Sequence, residues 1–259
     1  MAHRKIVKRA AEKTKTTSRS RPAGQNGGWR EWRVSRWAWF NVKEIALVRG
    51  KLLRAVADLL PSSIMFQHGP RASRRLALTF DDGPGAHTRE LLDVLDGAGV
   101  RATFFVIGRA CEAYPAELAA IAERGHELAG HGYSHTAFPR LSASELADEL
   151  SKTSRQLPSG APRFVRPPRG QVTPRTVLRC RRLGYALAMW SVDPLDWQAG
   201  APEEVVEAVG RSPLRGGDIV LLHEERPHTR AALPELVRRL RLAGFELGTV
   251  TEVLRAPHP

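Results

Sequence analysis

The sequence predicts an α/β fold of parallel strands joined by helical crossovers. From residue 73 onward, short apolar runs of strand type alternate with amphipathic stretches six or seven times. The residues with chemical character each follow the carboxyl end of an apolar run, where a parallel barrel builds its sites. A composition of 42% hydrophobic and 26% charged residues suits a globular domain with a sizeable core. The 259 residues accommodate one large α/β domain or two small ones.

Charge divides the chain. Residues 1–60 carry a balance of +11 and the remaining 199 only +2, so the basicity belongs to an N-terminal extension. Residues 1–28 combine Lys, Arg, Ser, Thr and Gly with few large apolar groups, which predicts a disordered basic tail. They lack the apolar stretch of a secretory signal. Residues 29–72 are read as a Trp-rich amphipathic helical segment and linker. Four of the six tryptophans fall between Trp29 and Trp39 among arginines, and Ile45, Leu52, Val56 and Leu59 follow at helical spacing. Two readings stay open for residues 29–60: a helix lying on an anionic membrane surface, or one that packs its Trp side chains on the main domain. No uncharged run approaches the length of a bilayer span, and no nucleic-acid-binding fold accompanies the charge. These features predict a cytoplasmic protein or one peripheral to the inner membrane face. Cys111 and Cys180 are expected to be reduced thiols.

Residues 73–255 form the main domain. An apolar strand over 74–80 ends at Asp81, and an amphipathic helix over 88–98 follows. Ala102–Ile107 is a buried strand, 115–124 a helix opened by proline, and 126–129 a strand leading to His131. Ser142 and Glu145 form the capping box of a helix over 142–156. Short strands over 163–165 and 185–190 bracket a helix over 174–183 that Gly184 ends. A helix over 202–210, a strand over 218–222, a helix over 233–243 and a strand over 245–250 complete the alternation.

Five segments carry the chemistry. In TFDDGP (79–84), adjacent residues on an extended end point different ways, so one Asp can bind a metal while the other takes a proton. In HGYSH (130–135 with its leading Gly130), His131 and His135 stand four apart, and a helical turn brings both imidazoles to one face within reach of one ion. With Asp82 they make a two-His, one-carboxylate set with room for water. RPPRG (166–170) is a rigid loop that aims a guanidinium at Asp81. DPLDW (193–197) sets Asp193 and Asp196 about a turn before Trp197, and the strand IVLLH (219–223) ends in His223.

In these segments and their order the chain resembles the polysaccharide deacetylase family, also called the NodB-homology domain or carbohydrate esterase family four, over roughly residues 73–254. The resemblance implies a distorted (β/α) barrel of about seven parallel strands. It implies Asp81 as general base, Asp82, His131 and His135 as ligands of a divalent metal, zinc foremost, and Arg166 as the residue that orients the base. It further implies His223 as general acid, Asp196 as the carboxylate that tunes it, and Trp197, Leu221, Pro167 and Arg169 along the substrate groove. Arg169 stands where the family usually has Tyr, which leaves the backbone N–H but exchanges a ring for a cation. Glu224 follows His223 where Asp is more usual, and the sequence assigns that change little weight. The activity implied is removal of acetyl groups from N-acetylglucosamine units of chito-oligosaccharide, peptidoglycan or a similar glycan. An O-acetyl esterase of acetylated xylan and an inactive glycan-binding module are the alternatives, the latter disfavoured because binding alone needs neither Asp81 nor His223.

Overall fold

The computed structural model describes residues 60–211 and 213–255. The basic tail expected over 1–28 and the membrane-facing reading of 29–60 lie outside the described residues, Leu60 excepted. Eight strands form the sheet: β1 (Met65–Phe66), β2 (Arg75–Asp81), β3 (Thr103–Val106), β4 (Glu127–Gly130), β5 (Phe164–Val165), β6 (Ala186–Ala188), β7 (Ile219–His223) and β8 (Glu246–Gly248). Their order is β1-β6-β5-β4-β3-β2-β7, with β8 beside the start of β2, and every pairing is parallel. The residues after β6 close the sheet on itself: Val192 bridges to Val220 and accepts a hydrogen bond from Leu221 N at 3.0 Å. This is the parallel barrel that the alternation predicts.

Eight α-helices accompany the strands among the described residues: α1 (Thr88–Gly97), α2 (Gly108–Ala113), α3 (Pro115–Glu123), α4 (Ala143–Ser154), α5 (Pro174–Arg182), α6 (Pro202–Gly210), α7 (Pro227–Leu242) and α8 (Val250–Leu254). The capping box at α4 forms as read, with Ser142 Oγ accepting from Glu145 N at 3.2 Å and Glu145 accepting from Ser142 N at 2.7 Å. Three elements differ from the sequence reading. The sheet begins at Met65, ahead of residue 73, because that two-residue strand is too short to show periodicity. Helix α7 begins at Pro227 rather than 233; Pro234 reads as a helix start but sits inside the helix. The last apolar run splits at Thr249, which caps α8 by accepting from Glu252 N.

Strand periodicity sorts the side chains and sets up the site. Leu76, Leu78 and Phe80 of β2 pack outward with Leu91, Leu92 and Leu95 of α1, while Ala77 belongs to the inner cluster with Phe105, Ala129 and Phe164. Counting on by twos puts Asp81 on the inner face at the carboxyl end. The same count from Ile219 puts His223 inward, from Ala129 His131, and from Phe164 Arg166. No helix among the described residues is long and apolar enough to cross a membrane. Cys111 and Cys180 are free and buried, and burial pushes both thiols up to about 12, which leaves them unreactive.

Candidate active site

Asp81 and His223 are register partners on neighbouring strands, so a carboxylate and an imidazole stand at one level of the barrel rim. Asp81 is 4% exposed. Its Oδ1 accepts from Arg166 Nη1 at 2.7 Å, and its Oδ2 lies 3.6 Å from His131 Nε2. Arg166 is fully buried between the rings of Phe105 and Trp190, and also donates to Thr79 Oγ1 at 2.8 Å and to the carbonyls of Ala188 and Met189. Burial works against its charge, and Asp81 sustains it. The guanidinium therefore aims at Asp81, as the Pro-rich loop suggests.

Asp82 begins the loop after β2. Its Oδ1 is buried, makes no hydrogen bond, and lies 3.2 Å from His135 Nε2 and 3.5 Å from His131 Nε2. His131 donates from Nδ1 to Arg166 O at 2.8 Å, which turns the unprotonated Nε2 toward Asp82. Burial lowers the pKa of His131 and favours that neutral form. Burial opposes ionisation of Asp82, but the neighbouring histidines, His135 first, outweigh it and pull the carboxyl down to about 2. One ligand atom from each of Asp82, His131 and His135 lies within 4.8 Å of the others. Acceptor atoms converging on one point without a proton between them suit a divalent cation, so the residues fit the metal expected here.

The geometry behind the histidine pair differs from the sequence argument. No helical turn carries it. The segment is a loop turned by Gly132 at φ +79° and by His135 itself at φ +61°, and it brings the rings to 5.1 Å between centroids. Four non-glycine residues among those described have positive φ, namely Asp82, His135, Arg169 and Leu195, and all four line one cavity of about 570 Å³. Strained backbone concentrates where side chains must be aimed.

On the far wall, Asp196 accepts at Oδ1 from His223 Nδ1 at 2.7 Å, and at Oδ2 from His223 N at 2.8 Å and Thr229 Oγ1 at 2.7 Å. Burial depresses the His223 imidazolium, but the Asp196 carboxylate outweighs it and the net shift is upward. Trp197 is 50% exposed and Leu195 42%, an apolar edge over the cavity that Leu221 floors. Arg169 and Arg226 also line the cavity, and neither guanidinium makes an ion pair or hydrogen bond among the described residues. The Arg169 N–H, on its left-handed turn at φ +58°, is likewise without a hydrogen bond there.

Ten of the eleven site residues expected from the sequence meet in this region: eight line the cavity, and Arg166 and Asp196 stand directly behind Asp81 and His223. Pro167 is the exception; it is buried, and its carbonyl accepts from Gly170 N at 3.0 Å as the base of the turn that presents Arg169. Two contributors, Thr229 and Glu149, were silent in the sequence, and a third, Glu224, carries more than the little weight the sequence assigns it. Thr229 of α7 holds Asp196, Glu149 of α4 accepts from Tyr133 N at 2.8 Å and Ser134 N at 2.9 Å, and Glu224 is fully buried against the loop after β2. Burial raises the Glu224 carboxyl to about 7.

The chain is similar to known proteins in sequence and fold. Residues 68–188 match the family model described as polysaccharide deacetylase. The chain is 31% identical over 209 residues to a peptidoglycan-N-acetylglucosamine deacetylase of Bacillus cereus, covering 78% of this chain and 98% of the relative. It is 37% identical over 194 residues to a chitooligosaccharide deacetylase of Bradyrhizobium sp., covering 68% and 88%. Among solved structures it is similar to a peptidoglycan N-acetylglucosamine deacetylase in complex with an N-oxidanyl-benzamide, with a TM-score of 0.70, 27% identity, and 75% and 94% of the two chains covered.

Proposed function

Because the chain belongs to the polysaccharide deacetylase family, we propose that it is a metal-dependent hydrolase that removes acetyl groups from N-acetylglucosamine units of a glycan. One observation carries the site assignment: Asp81 and His223 face the cavity from opposite each other in adjacent strands, beside the converging Asp82, His131 and His135. Asp82, His131 and His135 hold the divalent ion, zinc by the donor set, which when bound supplies Lewis acidity toward a carbonyl oxygen and toward water.

The chain's own groups account for the proton transfers. Asp81, fixed through Oδ1 by Arg166, takes a proton from the attacking water on its other oxygen. The free Arg169 N–H donates to the oxygen that gains charge as the acetyl carbon becomes tetrahedral. His223, held by Asp196 in the tautomer that keeps its proton on Nδ1, delivers the proton of its other nitrogen to the leaving amine. The C–N bond breaks, and acetate and a free amino sugar leave. Trp197 offers its exposed face to a sugar ring, and Leu221 lines the acetyl pocket.

The unpaired guanidiniums of Arg169 and Arg226 favour a glycan that carries carboxylates, such as peptidoglycan, over a neutral chito-oligosaccharide. Acetate release should be compared on a soluble peptidoglycan fragment, N-acetylchitopentaose and acetylated xylan, with zinc-loaded and chelated protein. Metal-dependent release with the highest kcat/KM on the peptidoglycan fragment is expected. Equal or better turnover of the neutral oligosaccharide would remove the acidic-glycan preference. Release from xylan alone would make the enzyme an O-acetyl esterase.

A further inference from the structure

The two loops that carry the converging ligands are each held by a glutamate that lies outside the ligand set. Glu149 projects from α4, and one of its oxygens accepts from both Tyr133 N and Ser134 N, the residues between His131 and His135. The loop packs so closely that a Cβ on Gly132 would stand 3.3 Å from that oxygen. Glu224 does the same for the loop after β2. Its Oε1 accepts from Gly85 N at 3.0 Å and from the Thr88 hydroxyl. Its own N donates to Asp81 O at 3.3 Å, and its carbonyl accepts from Arg230 at 3.1 Å. A Cβ on Gly83 would lie 1.9 Å from Glu224 Oε2, so the residue after Asp82 fits only as glycine against this carboxyl group. Asp82 and His135 both sit at positive φ, a conformation their side chains do not favour unaided, and in each loop a buried or half-buried carboxyl group binds the adjoining backbone.

We propose that Glu149 and Glu224 are positioning residues for the metal site, the first clamping the loop of His131 and His135 and the second the loop of Asp82. Each sets cation affinity and coordination geometry without touching the ion. The proposal rests on the reading of Asp82, His131 and His135 as ligands. Groups that orient metal ligands contribute about 10- to 100-fold to affinity.

The test uses the full chain and two probes, Zn²⁺ measured by competition with a chromophoric chelator and Co²⁺ measured by its visible absorption. Glu149→Ala and Glu224→Ala should each weaken Zn²⁺ binding about 10- to 100-fold and alter the Co²⁺ bands. Glu149→Gln keeps an acceptor oxygen for the two N–H groups and should bind within about threefold of the parent. Thermal melts of the metal-free proteins report whether each variant is folded. Should Glu224→Ala lose its cooperative melt, Thr88→Ala, which removes only the bridging hydroxyl, decides the second loop by the same two readouts. Unchanged affinity and an unchanged Co²⁺ spectrum in folded alanine variants, beside a parent that binds tightly and an Asp82→Ala that does not, would overturn the clamps alone. Full Zn²⁺ affinity in Asp82→Ala would overturn the ligand reading and the proposal with it.

Discussion

Replacing Arg166 by methionine removes all the guanidinium donors from the barrel interior while keeping a stem of similar length. Arg166 is fully buried, and its donors reach Asp81, Thr79 and two backbone carbonyls. Asp81, 4% exposed, would be left without its counter-charge. Removing one partner of a buried pair costs about 3–5 kcal/mol, most of it the penalty of the stranded charge. Asp81→Asn alone strands the guanidinium in the same way. The double variant strands neither, so it should be less destabilised than the sum of the singles by about 2–3 kcal/mol. Urea denaturation of the metal-free single and double variants measures this coupling, with the slopes compared to check that the unfolded states are alike. Additivity to within about 0.5 kcal/mol would refute the pairing as the reason Arg166 is buried there.

Two pH-dependent effects follow from the histidines. His223 acts in its protonated form and its pKa is raised, so kcat/KM should fall only as the pH climbs above the usual imidazole range, and Asp196→Asn should move that falling limb to lower pH; a limb that stays in place would remove Asp196 as the tuning group. His126 is buried beside Phe104, accepts from Ala102 N at 3.1 Å, and is pushed down to about 4 by burial. A folded pKa below the unfolded value means its contribution to stability is complete above about pH 6.5 and is lost as the pH falls toward 4, a span of roughly 3 kcal/mol. The difference between parent and His126→Gln in urea midpoint should therefore change across that window, and a constant difference would contradict it.

The legible parts of the fold were those with local causes. Short apolar runs mark β2 and β7, and the Ser142–Glu145 capping box marks the start of α4 within a residue. Aligning the ends of the strands brings Asp81, His131, Arg166 and His223 together from the sequence alone. What the sequence hid depends on contacts across the barrel. The His131–His135 pair reads as a helical turn because four-residue spacing is its simplest cause, yet Gly132 and the Glu149 carboxylate make a loop of it. Pro167 looked like a substrate contact, but it lies beneath the turn that presents Arg169. Thr229 carries no local signal, and Glu224 shows only as a Glu where Asp is more usual, since a hydroxyl in a helix and a glutamate after a strand gain meaning only from the Asp196 and Gly85 they meet. The start of α7 was displaced by Pro234, whose ring suits a first turn but here is tolerated inside one.

The division of labour between the adjacent carboxylates of TFDDGP is the centre of the account, and one paired measurement reaches it: zinc stoichiometry and acetate release for Asp81→Asn beside Asp82→Ala. Asp81→Asn should bind one equivalent of zinc and lose at least about 10²-fold in turnover, while Asp82→Ala should fail to hold the ion. Near-parental turnover in Asp81→Asn, or a full equivalent of zinc in Asp82→Ala, would contradict the assignment.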